Sequence, residues 1–464
     1  MDLPAHLLPA TRLIELYASH QLSPVTAVKA ALEQIGRVNP RLNALCLVDP
    51  ERAVAEARAS EARWARGAPM GALDGIPTTI KDLILTRGWP TLRGSRLVDP
   101  DQDWSEDALL VGSLRRSGAI LIGKTTTPEF GWKGVTDSPL CGTTRNPWNT
   151  ALTPGGSSGG AAVAAACGMG ALHVGTDGGG SIRIPASFTG VVGFKPSYGL
   201  VPRHPRSPFG TLSTGGPITR SVADAALMMN VLAEPDDRDF NAVPYHGPAF
   251  DAWLDGGIRG WRVAFSPTLS GARVDPEVAR LVAEAAKVLA ELGATVTEVP
   301  RPFDDSLAVF QNYWFSGAAS LLRSVPEDQR YLLDPGLAHI AELGTRISVL
   351  DYLEAERARD AIGSRMRLFF RDWDLLLTPT MPVAAFATGA DFPPQSDRGP
   401  WTDWTPFSYP FNLSKQPAIS VPCGFTAAGL PVGLQIAGPL LADQRVLRAA
   451  RAFEQARPFR LPEI

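Results

Sequence analysis

Two glycine-rich loops, each carrying a serine, place the strongest constraint on how this chain folds. The first reads Pro154-Gly-Gly-Ser-Ser-Gly-Gly160 and the second Gly175-Thr-Asp-Gly-Gly-Gly-Ser181. Between them lie an Ala-rich stretch, which favours a helix, and a short apolar strand at 171–174. A helix out and a strand back return the chain to near its starting point. The sequence therefore predicts that Ser157 and Ser181 meet at one end of a sheet.

The second loop offers several unhindered backbone N–H groups beside a hydroxyl. Glycines allow the backbone from 177 to 181 to curl until these donors converge on one oxygen. Stabilisation of a tetrahedral oxyanion needs that arrangement. A single run of this kind is more often a plain tight turn, but two glycine–serine loops at this spacing, followed by Ser181-Ile-Arg-Ile-Pro185, favour a catalytic site.

A serine nucleophile needs a base, and no histidine recurs near either loop. Lys81, in Gly75-Ile-Pro-Thr-Thr-Ile-Lys81, follows apolar and β-branched residues that predict a strand. Burial lowers a lysine pKa, and the neutral amine can then accept a proton. The alternative is an exposed lysine on an edge strand, or one paired with an acid such as the adjacent Asp82.

Two motif matches are interpreted as accidental. Residues 118–125 fit the P-loop pattern, but the positions between its glycines are Ala, Ile, Leu and Ile, typical of a buried strand rather than a phosphate loop. Residues 156–160 fit the nucleophile elbow of α/β-hydrolases, but a loop precedes them instead of a strand.

Elsewhere, strand and helix signals alternate, which predicts an α/β fold with helices on both faces of a layered sheet. The predicted helices are one that begins at Ser23-Pro24 and others at 51–66, 105–116, 275–293 and 443–456. The predicted strands are at 78–85, 119–122, 261–265, 294–299, 418–421 and 432–436. Residues 301–375 are helical and aromatic in pattern.

Charge and cysteine usage exclude several classes of protein. The net charge is −3 and no basic block occurs, so nucleic acid and anionic membrane are not expected partners. The N-terminal MDLPAHLL does not resemble a signal peptide, and we find no membrane-spanning pattern. The four cysteines are scattered, which predicts reduced thiols, no zinc site and a cytoplasmic location.

The run GGSSGG followed by TDGGGSIRIPAS resembles the amidase signature, and GIPTTIKD resembles the upstream lysine strand of that family. The similarity extends over nearly the whole chain, densely at about 70–225 and sparsely at 240–370. It implies a single amidase domain over 1–464, with a mixed, mostly parallel, twisted sheet covered by helices, a signature core at about 70–225 and a substrate-shaping region at about 240–415.

The resemblance also implies a mechanism without metal or organic cofactor. Ser181 attacks the carbonyl, Ser157 is the cis-serine that relays the proton, and neutral Lys81 is the base. The residues whose backbone N–H groups are expected to hold the oxyanion are Gly178, Gly179, Gly180 and Ser181. Asp177 and Arg183, which flank the nucleophile loop, are expected to hold its shape, with substrate contact as the alternative. Thr176 either hydrogen-bonds within that loop or only packs in its turn, and Ser158 is expected to cap the helix that follows.

The family includes stand-alone amidases and the A subunit of tRNA-dependent amidotransferases, which uses glutamine. The regions around 310–325 and 400–415 are aromatic and offer no evident clamp for a free amino acid. We therefore expect a stand-alone hydrolase of small-molecule apolar or aryl amides, with esters and carbamates as further options. A catalytically silent binding scaffold and the amidotransferase component remain alternatives. Oligomeric state is open, with a homodimer as one option.

Overall fold

A sheet of eleven strands runs through the computed structural model, which describes residues 3–269, 271–302, 304–394 and 399–463. Across the sheet the strands lie in the order β1, β3, β2, β6, β8, β7, β12, β13, β11, β9 and β10, while β4 and β5 form a separate ribbon. Their bounds are β1 Leu45–Val48, β2 Pro77–Lys81, β3 Ile120–Thr125, β4 Asp137–Ser138, β5 Gly142–Thr143, β6 Leu172–Asp177, β7 Val192–Lys195, β8 Thr214–Thr219, β9 Arg262–Phe265, β10 Thr295–Glu298, β11 Leu375–Pro379, β12 Ala418–Phe425 and β13 Pro431–Ala437.

The sheet is mixed, as predicted. Parallel pairing joins β3, β2 and β6 on one side and β11, β9 and β10 on the other. Antiparallel pairing joins the strands between them, from β6 through β8, β7, β12 and β13 to β11. The link between β12 and β13 is too short for a parallel crossover, which needs about a dozen residues, so this pair is antiparallel.

Helices cover both faces of the sheet. Their bounds are α1 Ala10–Ala18, α2 Pro24–Leu42, α3 Pro50–Ala65, α4 Leu109–Arg116, α5 Gly159–Ala166, α6 Arg183–Thr189, α7 Val222–Leu232, α8 Pro276–Glu291, α9 Leu307–Leu322, α10 Pro335–Thr345, α11 Val349–Phe369, α12 Pro410–Leu413 and α13 Asp443–Ala456. Leu121 of β3 belongs to the core cluster that includes residues of α4, α7, α8 and α13, whereas Ile120 and Ile122 belong to the cluster that includes residues of α2, α3 and α5. Neighbouring residues of a strand point to opposite faces, so the predicted single α/β domain with two helical layers is confirmed.

Most predicted elements are present, with shifted ends. The strand expected at 78–85 stops at Lys81, because the chain turns there and the Ile84 N–H donates to the Lys81 carbonyl at 3.0 Å. The helix expected at 105–116 begins only at Leu109. Asp107 accepts a hydrogen bond from the Arg87 N–H at 2.7 Å, which ties the residues before the helix to another segment.

The aromatic region is helical, as expected, and folds as α9, α10 and α11. Its buried side chains, Phe310 and Trp314 among them, form a core cluster together with residues of other segments such as Trp401. This cluster lies against the second glycine loop, since a Cβ atom built at Gly179 would lie 2.7 Å from Phe310 and 2.9 Å from Trp401.

Among the described residues, no helix is both long enough and apolar enough to cross a bilayer.

Candidate active site

The sheet brings the predicted lysine and the two serine loops together. β2 ends at Lys81 and β6 ends at Asp177, and the two strands are parallel neighbours, so their carboxyl ends meet at the same edge. Ser157 lies two residues before the start of α5, and Ser181 follows β6. The Ser158 N–H donates to the Ser181 carbonyl at 3.0 Å and joins the two loops, so the predicted meeting of the loops is observed.

Lys81 is fully buried and surrounded by hydroxyl groups. Its Nζ atom lies 2.7 Å from Ser157 Oγ, 2.9 Å from Ser158 Oγ and 3.0 Å from Thr176 Oγ1. Within the described part of the chain it forms no ion pair, and Asp82 pairs instead with Lys124 at 3.0 Å. Burial, with a smaller contribution from the charge of Arg203, lowers the pKa of Lys81 well below its ordinary value.

Ser158 does not cap α5 with its side chain, contrary to the prediction. It occupies the N-cap position, but its Oγ donates to the Thr176 carbonyl at 3.2 Å and accepts from Lys81. The Ser158 hydroxyl is therefore engaged by the Lys81 amine and the Thr176 carbonyl, and not by the N–H groups at the start of α5. The neighbouring peptide bond, Gly156–Ser157, is cis.

Asp177 and Arg183 form a buried ion pair behind the nucleophile loop. Arg183 donates to both carboxylate oxygens of Asp177, at 2.9 and 3.0 Å. Asn412 Nδ2 donates to the same carboxylate at 2.9 Å, and Gln435 Oε1 accepts from Arg183 at 2.8 Å. The pKa of Asp177 is lowered by Arg183 despite burial, which alone would raise it. These contacts fix the loop that carries Ser181.

The amide groups of the loop differ in availability. The Gly180 N–H donates to Asp177 Oδ1 at 2.8 Å, so it is engaged within the loop. The N–H groups of Gly178, Gly179 and Ser181 have no partner among the described residues. Gly180 has φ +123°, and a Cβ there would lie 2.5 Å from Ser408 Oγ, so the loop requires glycine at this position.

A cavity of about 180 Å³ opens onto both serines and Thr176. One side of it is apolar and includes Leu83, Phe130, Phe209, Trp314 and Leu321. Three arginines, Arg93, Arg203 and Arg206, also line it. Phe209 stacks on Trp314 with ring centroids 3.7 Å apart, which gives the apolar side a rigid wall.

Sequence reasoning missed several residues of this site. Asn412, Gln435 and Ser408 reach the glycine loop from distant segments, and Arg203 comes from a loop rich in Pro and Arg. Trp314 is core and also lines the cavity.

The structure supports neither a phosphate-binding P-loop nor a nucleophile elbow at the two motifs that were interpreted as accidental. The P-loop match is strand β3, and its Lys124 is buried against Asp82 and the Ile84 carbonyl. The elbow match follows a loop and not a strand, as the sequence indicated.

Comparisons by sequence and by structure relate nearly the whole chain to the same group of proteins. The Amidase family model matches residues 26–447. The chain is 38% identical over 462 residues to an acylamidase of Rhodococcus erythropolis, a match that covers 98% of this chain and 96% of that protein. It is 37% identical over 474 residues to the A subunit of the glutamyl-tRNA(Gln) amidotransferase of Myxococcus xanthus (strain DK1622), with 95% and 96% covered. The structure of a bacterial aryl acylamidase belonging to the amidase signature (AS) enzymes family superimposes with a TM-score of 0.91 at 32% identity, covering 98% of this chain and 97% of that one.

Proposed function

The chain belongs to the amidase signature family, whose enzymes hydrolyse amide C–N bonds, and we propose that it does so through an acyl-enzyme on Ser181. The observation that carries this proposal is Lys81, a buried amine within 3.0 Å of three hydroxyls that has no carboxylate partner among the described residues. It lies beside a cavity that Ser181 also lines.

The hydrogen bonds around Lys81 suit a neutral amine. A neutral amine has two N–H donors and one lone pair. Ser158 has committed its own proton to the Thr176 carbonyl, so it accepts from Lys81, and Thr176 Oγ1 can accept the second N–H. The lone pair then faces Ser157 Oγ at 2.7 Å. Ser157 can therefore give its proton to Lys81 as it takes one from Ser181.

The reaction then follows the usual course of nucleophilic catalysis. Ser181 Oγ attacks the amide carbon, and the proton it loses passes through Ser157 to Lys81. The same relay returns the proton to the departing amine, which leaves an ester between the acyl group and Ser181. Water, activated by the same base, hydrolyses that ester.

The oxyanion is held by backbone donors of the second loop. Of the amides expected from the sequence, those of Gly178, Gly179 and Ser181 are open to a ligand, whereas the Gly180 N–H is occupied by Asp177. We therefore assign Gly180 to the shape of the loop and the other three amides to the oxyanion.

The substrate class is an apolar or aryl amide, with esters and carbamates as further options. The apolar side of the cavity, with Phe130, Phe209 and Trp314, supports this class. The similarity to an acylamidase and an aryl acylamidase points the same way.

The similarity to an amidotransferase component keeps glutamine as an alternative substrate. Glutamine carries an ammonium group, which in a protein site calls for an acidic partner. The described residues that line the cavity include no Asp or Glu. This lining favours the stand-alone hydrolase over the amidotransferase component, and the reactive Lys81, Ser157 and Ser181 together favour an enzyme over a silent scaffold.

The test is a panel of anilides and p-nitroanilides, with glutamine included, given to the purified protein alone. We expect anilide hydrolysis, and its loss in the Ser181→Ala variant to below about one thousandth of the native rate. Ammonia release from glutamine only, and only with a partner present, would establish the alternative. Unchanged turnover in the Ser181→Ala variant would exclude the proposed nucleophile.

A further inference from the structure

The arginines that line the catalytic cavity have no carboxylate partner among the described residues. Among the described residues, Arg93, Arg203 and Arg206 form no ion pair within 4.0 Å. Other arginines of the structure do, such as Arg183 with Asp177 and Arg238 with Asp236. No acidic side chain lines the cavity in the described part of the chain.

Nearby carboxylates are already engaged elsewhere. Asp82, the acid that acts on Arg93, pairs with Lys124 at 3.0 Å. Asp239 accepts the backbone N–H of Arg203 at 2.8 Å, and the described residues show no ion pair between Asp239 and the Arg203 guanidinium group. Asp82 offsets part of the positive charge of Arg93, and Asp239 part of that of Arg203. Neither carboxylate forms an ion pair with the arginine that it acts on.

Arg203 is held in place toward the catalytic residues. Its guanidinium group donates to Ser213 Oγ, and it shares the cavity wall with Thr176 and Gly178. Burial lowers the pKa of Arg203 to about 10, so it remains charged at neutral pH. A fixed, half-desolvated guanidinium group beside a cavity attracts anions and binds a carboxylate strongly.

We propose that this cavity selects amides that carry a carboxylate beside an apolar body, with Arg203 and Arg93 as its specificity-determining residues. The apolar body packs against Phe209 and Trp314, and the carboxylate faces the guanidinium groups, while Arg206 adds charge at the exposed rim. This inference rests on the proposed amidase function and narrows its substrate class.

A matched pair of chromogenic substrates tests the selection. Succinyl-p-nitroanilide carries a carboxylate, and 4-oxopentanoyl-p-nitroanilide replaces it with a methyl ketone of similar shape. A second pair, 4-acetamidobenzoate and 4-acetylacetanilide, makes the same exchange on the amine side. In at least one pair we expect the anion to have a kcat/KM about tenfold higher or more, a preference that weakens as salt rises.

Variants locate the selection on the cavity wall. Arg203→Gln and Arg93→Gln should each reduce the ratio of the two kcat/KM values severalfold. Arg238→Gln is the control, because Arg238 lines a neighbouring cavity and is paired with Asp236 at 2.7 Å; its ratio should equal that of the native protein. Ratios near one in both pairs, or ratios unchanged in both cavity variants, would overturn the inference.

Binding without turnover separates this inference from the proposed function. Calorimetry with the Ser181→Ala protein measures the affinity for succinyl-p-nitroanilide and for its ketone analogue. Tighter binding of the anion without hydrolysis by the native protein would support the selection and contradict the amidase. Hydrolysis of both compounds together with equal affinity for both would support the amidase and contradict the selection of anionic substrates.

Discussion

In the proposed mechanism Lys81 acts as a base because the fold buries a side chain that is usually exposed. Three hydroxyls replace the water around its Nζ atom, and none carries a charge that would stabilise the ammonium form. A histidine would titrate near neutral pH without such an environment. Lysine needs the desolvation that the carboxyl end of β2 provides.

The pH dependence of turnover should report the proton on Lys81. Burial and Arg203 lower its pKa, so kcat/KM should rise with pH through that lowered value and level off well below pH 10.5, the ordinary pKa of lysine. Arg203→Gln removes a positive charge, so Lys81 should keep its proton to higher pH and the acidic limb should shift in the alkaline direction. The pH profiles of the native, Arg203→Gln and Arg238→Gln proteins on one neutral anilide measure this shift. An acidic limb that stays in place in the Arg203→Gln variant would contradict the assignment.

The sequence was sufficient to predict that Lys81, Ser157 and Ser181 lie close together, because the glycine pattern and the family motifs are local. It was insufficient for Ser158, since the cap preference of a serine is a local rule and its actual partners, Lys81 and Thr176, belong to other strands. Asn412 gives no local signal at all. Its amide reaches Asp177 only because α12 packs over the nucleophile loop.

At the scale of elements, a pair of helices supports the wall of the cavity. α9 carries Phe310 and Trp314, and α10 packs tightly along it at Gly344, where a Cβ atom would overlap the backbone carbonyl of Phe315. The helical pattern of this region was predictable from the sequence. The close approach was not, because it depends on which faces of two helices meet.

Two glycine substitutions test this packing. Gly344→Ala should lower the free energy of unfolding by about 1–3 kcal/mol, because the added methyl group forces α10 away from α9. Gly363→Ala in α11 is the control, since no atom lies within 4 Å of the position its Cβ would take, and it should leave stability unchanged or raise it by up to about 1 kcal/mol. Denaturant unfolding of both variants measures the difference. Equal stability of the two variants would show that the α9–α10 contact does not require glycine.

At the scale of the whole molecule, one continuous sheet connects the signature core to the later segment. Residues near both ends, Ala10 in α1 and Phe453 in α13, belong to the same core cluster. β7, from the core, pairs with β12, from the C-terminal part. The core at about 70–225 and the variable region at about 240–415 therefore differ in sequence pattern. We expect them to fold together as one unit.

Calorimetry tests that expectation. Because β11, in the region at about 240–415, pairs with both β13 and β9, unfolding of that region alone would leave the sheet with an unpaired edge at β13. We predict a single cooperative unfolding transition for the whole chain. Two resolved transitions, one of them confined to the region at about 240–415, would contradict it.

The central claim is that Ser181, and not another serine of these loops, forms the covalent intermediate. A fluorophosphonate reacts with activated serine hydroxyls, and peptide mapping by mass spectrometry identifies the labelled residue. We predict one adduct per chain on Ser181, no adduct in the Ser181→Ala variant, and much slower labelling in the Lys81→Ala variant. An adduct on Ser157 or Ser158 in the native protein, or no adduct at all, would contradict the account.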